Sequence, residues 1–213
     1  EVAVEQAIRF VEEFGGSTTV LSLGVPEAEE QMREQMAIGA DRGILLATDG
    51  SEWDAQATAA AIVDAVKAQP APFDLILFGA EAADSNGSQV GVRVAHALGL
   101  PIVTNVRGVT ITDGVARCER VVGTNREVYD VTLPAVLTTR EGLNIPRYPS
   151  VPGRIKARKK PIETSNPVKA ASKVEKLKLI VPPNQKTGAK VLGSGADAAA
   201  AAVAMMEEIG VLP

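Results

Sequence analysis

Reactive and metal-binding side chains are scarce in this chain, which has one cysteine, one histidine, one tryptophan and two tyrosines in 213 residues. Cys118 and His96 alone cannot build a Cys₄ or Cys₂His₂ zinc site or a cysteine-ligated iron–sulfur cluster, and they form a nucleophilic pair only if the fold brings them together. Redox chemistry in such a chain must use an organic cofactor. No segment approaches the ~18 uninterrupted apolar residues that suggest a membrane-spanning helix. The start, with Glu1, Glu5 and Arg9 on a helical repeat, reads as neither a signal peptide nor an anchor. A net charge of −4 argues against a primary nucleic-acid or membrane-surface role, because those need a broad basic field. The expectation is a soluble, intracellular chain. At 46% hydrophobic residues it can bury one sizeable core with a smaller appendage.

The first hundred residues alternate helix and strand signals. Val2, Ala3, Ala7, Ile8 and Val11 recur at helical spacing, and the β-rich segment 17–23 follows. Helices are predicted over 26–38, 53–68 and 89–98, with strands over 43–48 and 73–78 between them. Apolar strands separated by helices imply a parallel sheet covered on both faces. After Leu100 the strands crowd together, and Asp113-Gly114 marks a hairpin between two of them. The fold class is therefore α/β: a three-layer sandwich with a mostly parallel sheet flanked by helices, extra antiparallel strands and an extended C-terminal arm. Segment 133–139 is predicted to be the last strand of the core. Beyond it the periodicity is lost, apart from a possible strand at 177–181 and an alanine-rich helix over 196–209. A tail of prolines, one short strand and an apolar helix has little of its own chain to bury against, and it reads as an arm that packs on a partner.

Residues 79–91, Gly-Ala-Glu-Ala-Ala-Asp-Ser-Asn-Gly-Ser-Gln-Val-Gly, join a strand to a helix. They contain neither a Walker A sequence nor a Gly-x-Gly-x-x-Gly fingerprint. Their position is informative, because ligands of open α/β sheets bind at the carboxyl ends of the strands. Asp84, Ser85, Asn86 and Ser88 offer polar groups to ribose and phosphate, and Gly87 permits close backbone approach. The same residue types make an ordinary capped turn, and composition does not separate the two. Cys118 is expected to be a small apolar side chain in a strand, and His96 a structural residue in the helix after the loop. The basic run Arg154–Lys160 is expected to be a solvated surface. Arg147 and Tyr148 suit either a carboxylate pair with a stacking ring or a rigid proline turn. No catalytic triad or spaced carboxylate pair is visible.

In order and spacing, several segments together resemble the β subunit of electron transfer flavoproteins. They are Glu1-Val-Ala-Val-Glu5, Ala37-Ile-Gly-Ala-Asp-Arg-Gly43, the loop 79–91, Leu133-Pro-Ala-Val-Leu-Thr138, Leu143-x-x-Pro-Arg-Tyr148, Lys156-Ala-Arg-Lys-Lys160 and Pro182-Pro-x-Gln-x-x-Gly188. The resemblance implies a heterodimer with an α subunit, with FAD held mainly by α against the β surface. Electrons would pass from acyl-CoA and other dehydrogenases to a quinone oxidoreductase. It further implies AMP, or a second FAD in its place, held by Leu23 and by Gly79, Ala82, Asp84, Ser85, Asn86, Gly87, Ser88, Gln89 and Val90. Residues 1–150 then form the nucleotide-binding core, and 151–213 a recognition loop and partner-wrapping arm. Partner docking falls to Val151, Arg147 and Tyr148, with Val151 in place of the family's common leucine; burying such an anchor is worth about 1.5–3 kcal/mol. The compartment would be the cytoplasm of a bacterium or the mitochondrial matrix of a eukaryote. Members of the family carry a strand and loop ahead of the opening helix that also line the nucleotide pocket. Two departures stand out: Asp84-Ser-Asn-Gly replaces a more acidic run, and Gly123-Thr-Asn125 replaces an acidic turn, while Glu127 keeps its place. The alternative is an adenine-nucleotide-binding regulatory module of the universal-stress-protein type, a self-sufficient homodimer with no use for the arm.

Overall fold

The computed structural model of the chain describes residues 1–82, 85–174, 176–181 and 190–212. It divides into two compact units, Glu1–Glu175 and Lys176–Pro213. The larger unit opens with α1 (Val2–Phe14), β1 (Thr19–Gly24), α2 (Ala28–Ile38), β2 (Arg42–Ala47), α3 (Ala55–Lys67), β3 (Leu75–Gly79) and α4 (Val90–Leu98). It continues with β4 (Ile102–Thr112), β5 (Val115–Val122), β6 (Asn125–Thr132), β7 (Ala135–Thr139), α5 (Val151–Ala157) and β8 (Ile162–Ser165).

Local chemistry explains the helix ends. The Asp54 carboxylate accepts from the Ala57 N–H at 2.7 Å and caps α3. Gly99, at φ 68° in the left-handed region, closes α4. The Asp113-Gly114 hairpin forms as expected, with φ of 50° and 76° at its two residues.

The strands form two sheets. One is β1-β2-β8, parallel throughout; the other is β3-β7-β4-β5-β6, with parallel pairs up to β4 and antiparallel pairs beyond. β2 and β7 are central and buried, as continuous apolar strands of a covered sheet must be. β1 and β3 each end a sheet and pair on one side only. Helices α3 and α4 cover one face of both sheets. There Ile44, Leu46, Ile62, Val63 and Val94 form a cluster joined by Leu21 and Leu23 of β1 and Phe78 of β3. Val20, on the opposite face of β1, packs with Met36, Ala37, Ala40, Ala157 and Ile162. The three-layer α/β architecture expected from the sequence is present.

The differences lie where periodicity is short or interrupted. The close-set strands at 101–106 and 108–112 are one strand, β4, whose register shifts between Val103 and Val106 and again between Val106 and Gly108. Asn105 sits in the first shift at φ 58°, and its N–H donates to Thr138 Oγ1 at 3.0 Å. The core also continues past residue 150: β8 pairs with β2 and Ala157 is buried. A seven-residue helix containing proline and a four-residue strand are too short to show a period.

The smaller unit has no strand among its described residues, so the strand expected at 177–181 does not form. Leu177, Leu179, Ile180 and Val181 are exposed. Its helix α6 (Ala198–Glu208) buries none of its described side chains.

Candidate functional site

Leu23 is the penultimate residue of β1 and Gly79 the last of β3, so the two fall at the ends of the two strands that stop each sheet. Both strand ends lie beside one apolar cluster, which Leu23, Phe78 and Val90 all touch. The base of the loop is pinned. Ala80 N–H donates to Thr139 O at 2.9 Å, Thr139 Oγ1 donates to Phe78 O at 3.1 Å, and Arg140 pairs with Glu81 at 3.1 Å. Ala82 O accepts from Asn86 N–H at 2.8 Å. Asp84 lies outside the described residues.

Ser85, Asn86, Gly87, Ser88 and Gln89 are exposed. Asn86 and Ser88 adopt φ of 50° and 48°, the left-handed region that non-glycine residues rarely occupy. Short polar side chains tolerate that region best. The N-cap of α4 is Gln89, which makes no side-chain cap; its amide oxygen accepts from Arg93 at 3.2 and 2.9 Å instead. Gln89 therefore gives the first N–H groups of α4 no side-chain cap. Val90 opens α4 half-buried, and a Cβ on Gly91 would meet Thr138 Cγ2 at 2.9 Å and the Phe78 ring at 3.2 Å, so the helix start lies directly on β3 and β7. This donor set suits the oxygens of a phosphate. Trp53, which the sequence reading used only to start a helix, packs on the same cluster with its indole N–H buried and unpartnered.

The segment 143–148 is tied to α1. Arg147 donates from Nε to Glu5 Oε2 at 2.9 Å, from its own N–H to the same oxygen at 3.2 Å, and to Glu12 at 2.6 and 2.9 Å. Glu5 is 1% exposed and also receives Arg9 at 2.6 Å. Burial pushes the Glu5 carboxyl up, but the hydrogen bonds from Arg147 and Arg9 outweigh it and hold the group below its ordinary value. Arg147 is thus a structural strap. Tyr148 is free of packing at 96% exposure, and Val151 is 72% exposed at the start of α5. With Ile145 and Ile155 they leave an apolar strip in water.

Sequence reasoning missed a third cluster, on the antiparallel strands. Arg120 pairs with Glu127 at 2.7 Å, donates to Thr104 Oγ1 at 3.1 Å and lies 5.2 Å from the centre of the Tyr129 ring, whose hydroxyl donates to Glu127 at 2.7 Å. The adjacent residues Glu119-Arg120 were the available signal. Cys118 is fully buried, and burial raises its thiol to about 11. His96 is exposed in the last turn of α4, not packed as expected. A cleft of about 650 Å³ between α1 and the β4–β5 hairpin includes none of the loop residues in its lining. No metal-binding group occurs among the described residues, and none of their helices is long and apolar enough to cross a membrane.

These features define a class: a three-layer α/β protein whose candidate ligand loop lies at the ends of parallel strands, with an exposed apolar strip outside it. Residues 1–171 match the family model described as the electron transfer flavoprotein domain. The chain is 40% identical over 192 residues to the electron transfer flavoprotein subunit beta of Syntrophomonas wolfei subsp. wolfei, covering 90% of this chain and 75% of that one. It is 34% identical to the Bacillus subtilis subunit beta, covering 97% and 83%, and 33% identical to the Homo sapiens subunit beta, covering 99% and 83%. The chain belongs to the electron transfer flavoprotein family and resembles its β subunits along most of its length.

Proposed function

We propose that this chain is the β subunit of a heterodimeric electron transfer flavoprotein, an electron carrier that performs no bond-changing chemistry of its own. The C-terminal unit carries this reading. Leu177, Leu179, Ile180 and Val181 are exposed by 70–89%, and α6 buries none of its described side chains. Apolar surface of that extent calls for a partner chain, and an α subunit is the partner the family supplies. A self-sufficient homodimeric regulatory module has no use for it. The α subunit holds most of the FAD, and this chain closes the other side.

The loop from Gly79 to Val90, with Leu23, holds AMP in a stabilising role. Support comes from the left-handed backbone at Asn86 and Ser88 and from the start of α4, where Gln89 makes no side-chain cap. A nucleotide seated there rests at the carboxyl ends of β1 and β3. The apolar strip around Val151 and Tyr148 receives acyl-CoA and other dehydrogenases, and a quinone oxidoreductase accepts the electrons. This activity belongs in a bacterial cytoplasm or a mitochondrial matrix.

Mass spectrometry of the small molecules released on denaturing the purified complex tests the assignment. One AMP with one FAD is expected. Two FAD and no AMP would overturn the AMP site, and release of no nucleotide beyond a single FAD would remove the loop from any binding role.

A further inference from the structure

Two helices hold each other by their carboxyl ends. Arg33 of α2 donates from Nη1 to the carbonyl oxygens of Ala157 and Lys160, both at 2.7 Å, where α5 ends. Glu29 orients the same guanidinium through Nε at 3.1 Å and Nη2 at 2.9 Å. In return Lys160 Nζ donates to the carbonyls of Met36, Gly39 and Ala40 at 3.0, 3.2 and 2.6 Å, where α2 ends. Carbonyls left over at a helix end carry partial negative charge, and here each helix receives a cation that the other fixes.

Between these caps the contact is close. Ala157 is buried among Met36, Ala37 and Ala40, and a Cβ on Gly153 would collide with the Ala37 carbonyl oxygen. Arg154 pairs with Glu34 at 2.9 Å on the rim. Val151 and Ile155, four residues apart and so on one helical face, remain 72% and 56% exposed. Lys156, Arg158 and Lys159 are exposed around them and take no ion pair among the described residues.

An isolated seven-residue helix does not persist in water. The conformation of α5 therefore depends on α2. We propose that Arg33 and Lys160 are positioning residues for docking: they hold α5 as a ready-made helix, so that Val151 and Ile155 enter an apolar pocket with an acidic rim on the partner dehydrogenase without first having to order the segment. This rests on the docking role given to the Val151 strip.

The test uses the αβ heterodimer and a medium-chain acyl-CoA dehydrogenase as electron donor, with KM for the heterodimer separated from kcat. Hydrogen exchange of the amides at 151–157 is followed in parallel. Arg33→Met is expected to raise KM roughly tenfold, equivalent to about 1.4 kcal/mol, with kcat and flavin content unchanged and faster exchange across α5. Arg33→Lys, which keeps a donor, is expected to recover most of the loss. Val151→Ala is expected to raise KM while leaving α5 exchange as it was. If Arg33→Met leaves KM at the wild-type value, the positioning role is overturned while docking stands. If Val151→Ala leaves KM unchanged, the docking role falls and the proposal with it. Should Arg33→Met fail to assemble, Lys160→Met is read by the same criteria.

Discussion

At the scale of single residues, Glu5 is a buried carboxylate held by two arginines. A carboxylate at 1% exposure is tolerable only because Arg9 and Arg147 surround it, and Arg147 brings segment 143–148 onto α1. Glu5→Gln removes that charge and is expected to cost about 2 kcal/mol, less than a fully buried pair because both arginines are partly exposed; a urea denaturation midpoint measures it. The pH dependence has a definite sign. The folded carboxyl lies below its ordinary value of 4.5, so its contribution is complete above that pH and lost as the pH falls through the folded value. Wild type is therefore expected to lose stability below about pH 4.5 more steeply than Glu5→Gln, as thermal melts at several pH values would show. Cys118 gives a simpler expectation: buried and shifted to about 11, it should react with Ellman's reagent at pH 8 only on unfolding. Immediate reaction in the native protein would contradict this placement of β5.

At the scale of elements, pieces with an unbroken period or apolar run were legible, and those that are interrupted or lack a period were not. α3 shows its alanine and valine repeat and its boundaries to within two residues of the prediction, though not its Asp54 cap. α5 and β8 were not visible, because neither has a period; the first forms on α2 and the second on β2. Strand order was equally hidden, since apolar runs reveal burial but not neighbours, and the division of the strands into two sheets appears only in three dimensions. The candidate loop was located by its place after a strand, yet its left-handed residues Asn86 and Ser88 and the uncapped α4 were not foreseeable from composition. Asp84, Ser85, Asn86 and Ser88 fit a cap and a cradle equally well on paper. Two measurements belong at this scale. Gly91→Ala pushes a methyl against Thr138 and Phe78 and is expected to destabilise by about 1–3 kcal/mol, with loss of bound nucleotide, as thermal melts with added AMP would show. The outward amides of β6 are expected to exchange faster than those of β7, because β6 ends its sheet and is paired on one side only.

At the scale of the whole molecule, one cysteine and one histidine are too few for a zinc–thiolate site, and much apolar surface stays uncovered. The arm was recognisable in advance from its prolines and its alanine-rich helix, since such segments cannot build a core. Its proposed partner follows from family membership and the exposed residues at 177–181. The account therefore makes flavin binding a property of the pair. The most direct measurement is the visible absorption spectrum of this chain purified alone, beside that of the same chain co-purified with an α subunit. The expected result is a colourless single chain and a yellow heterodimer holding flavin at its interface. Stoichiometric flavin on this chain alone, or a stable homodimer indifferent to the α subunit, would contradict it.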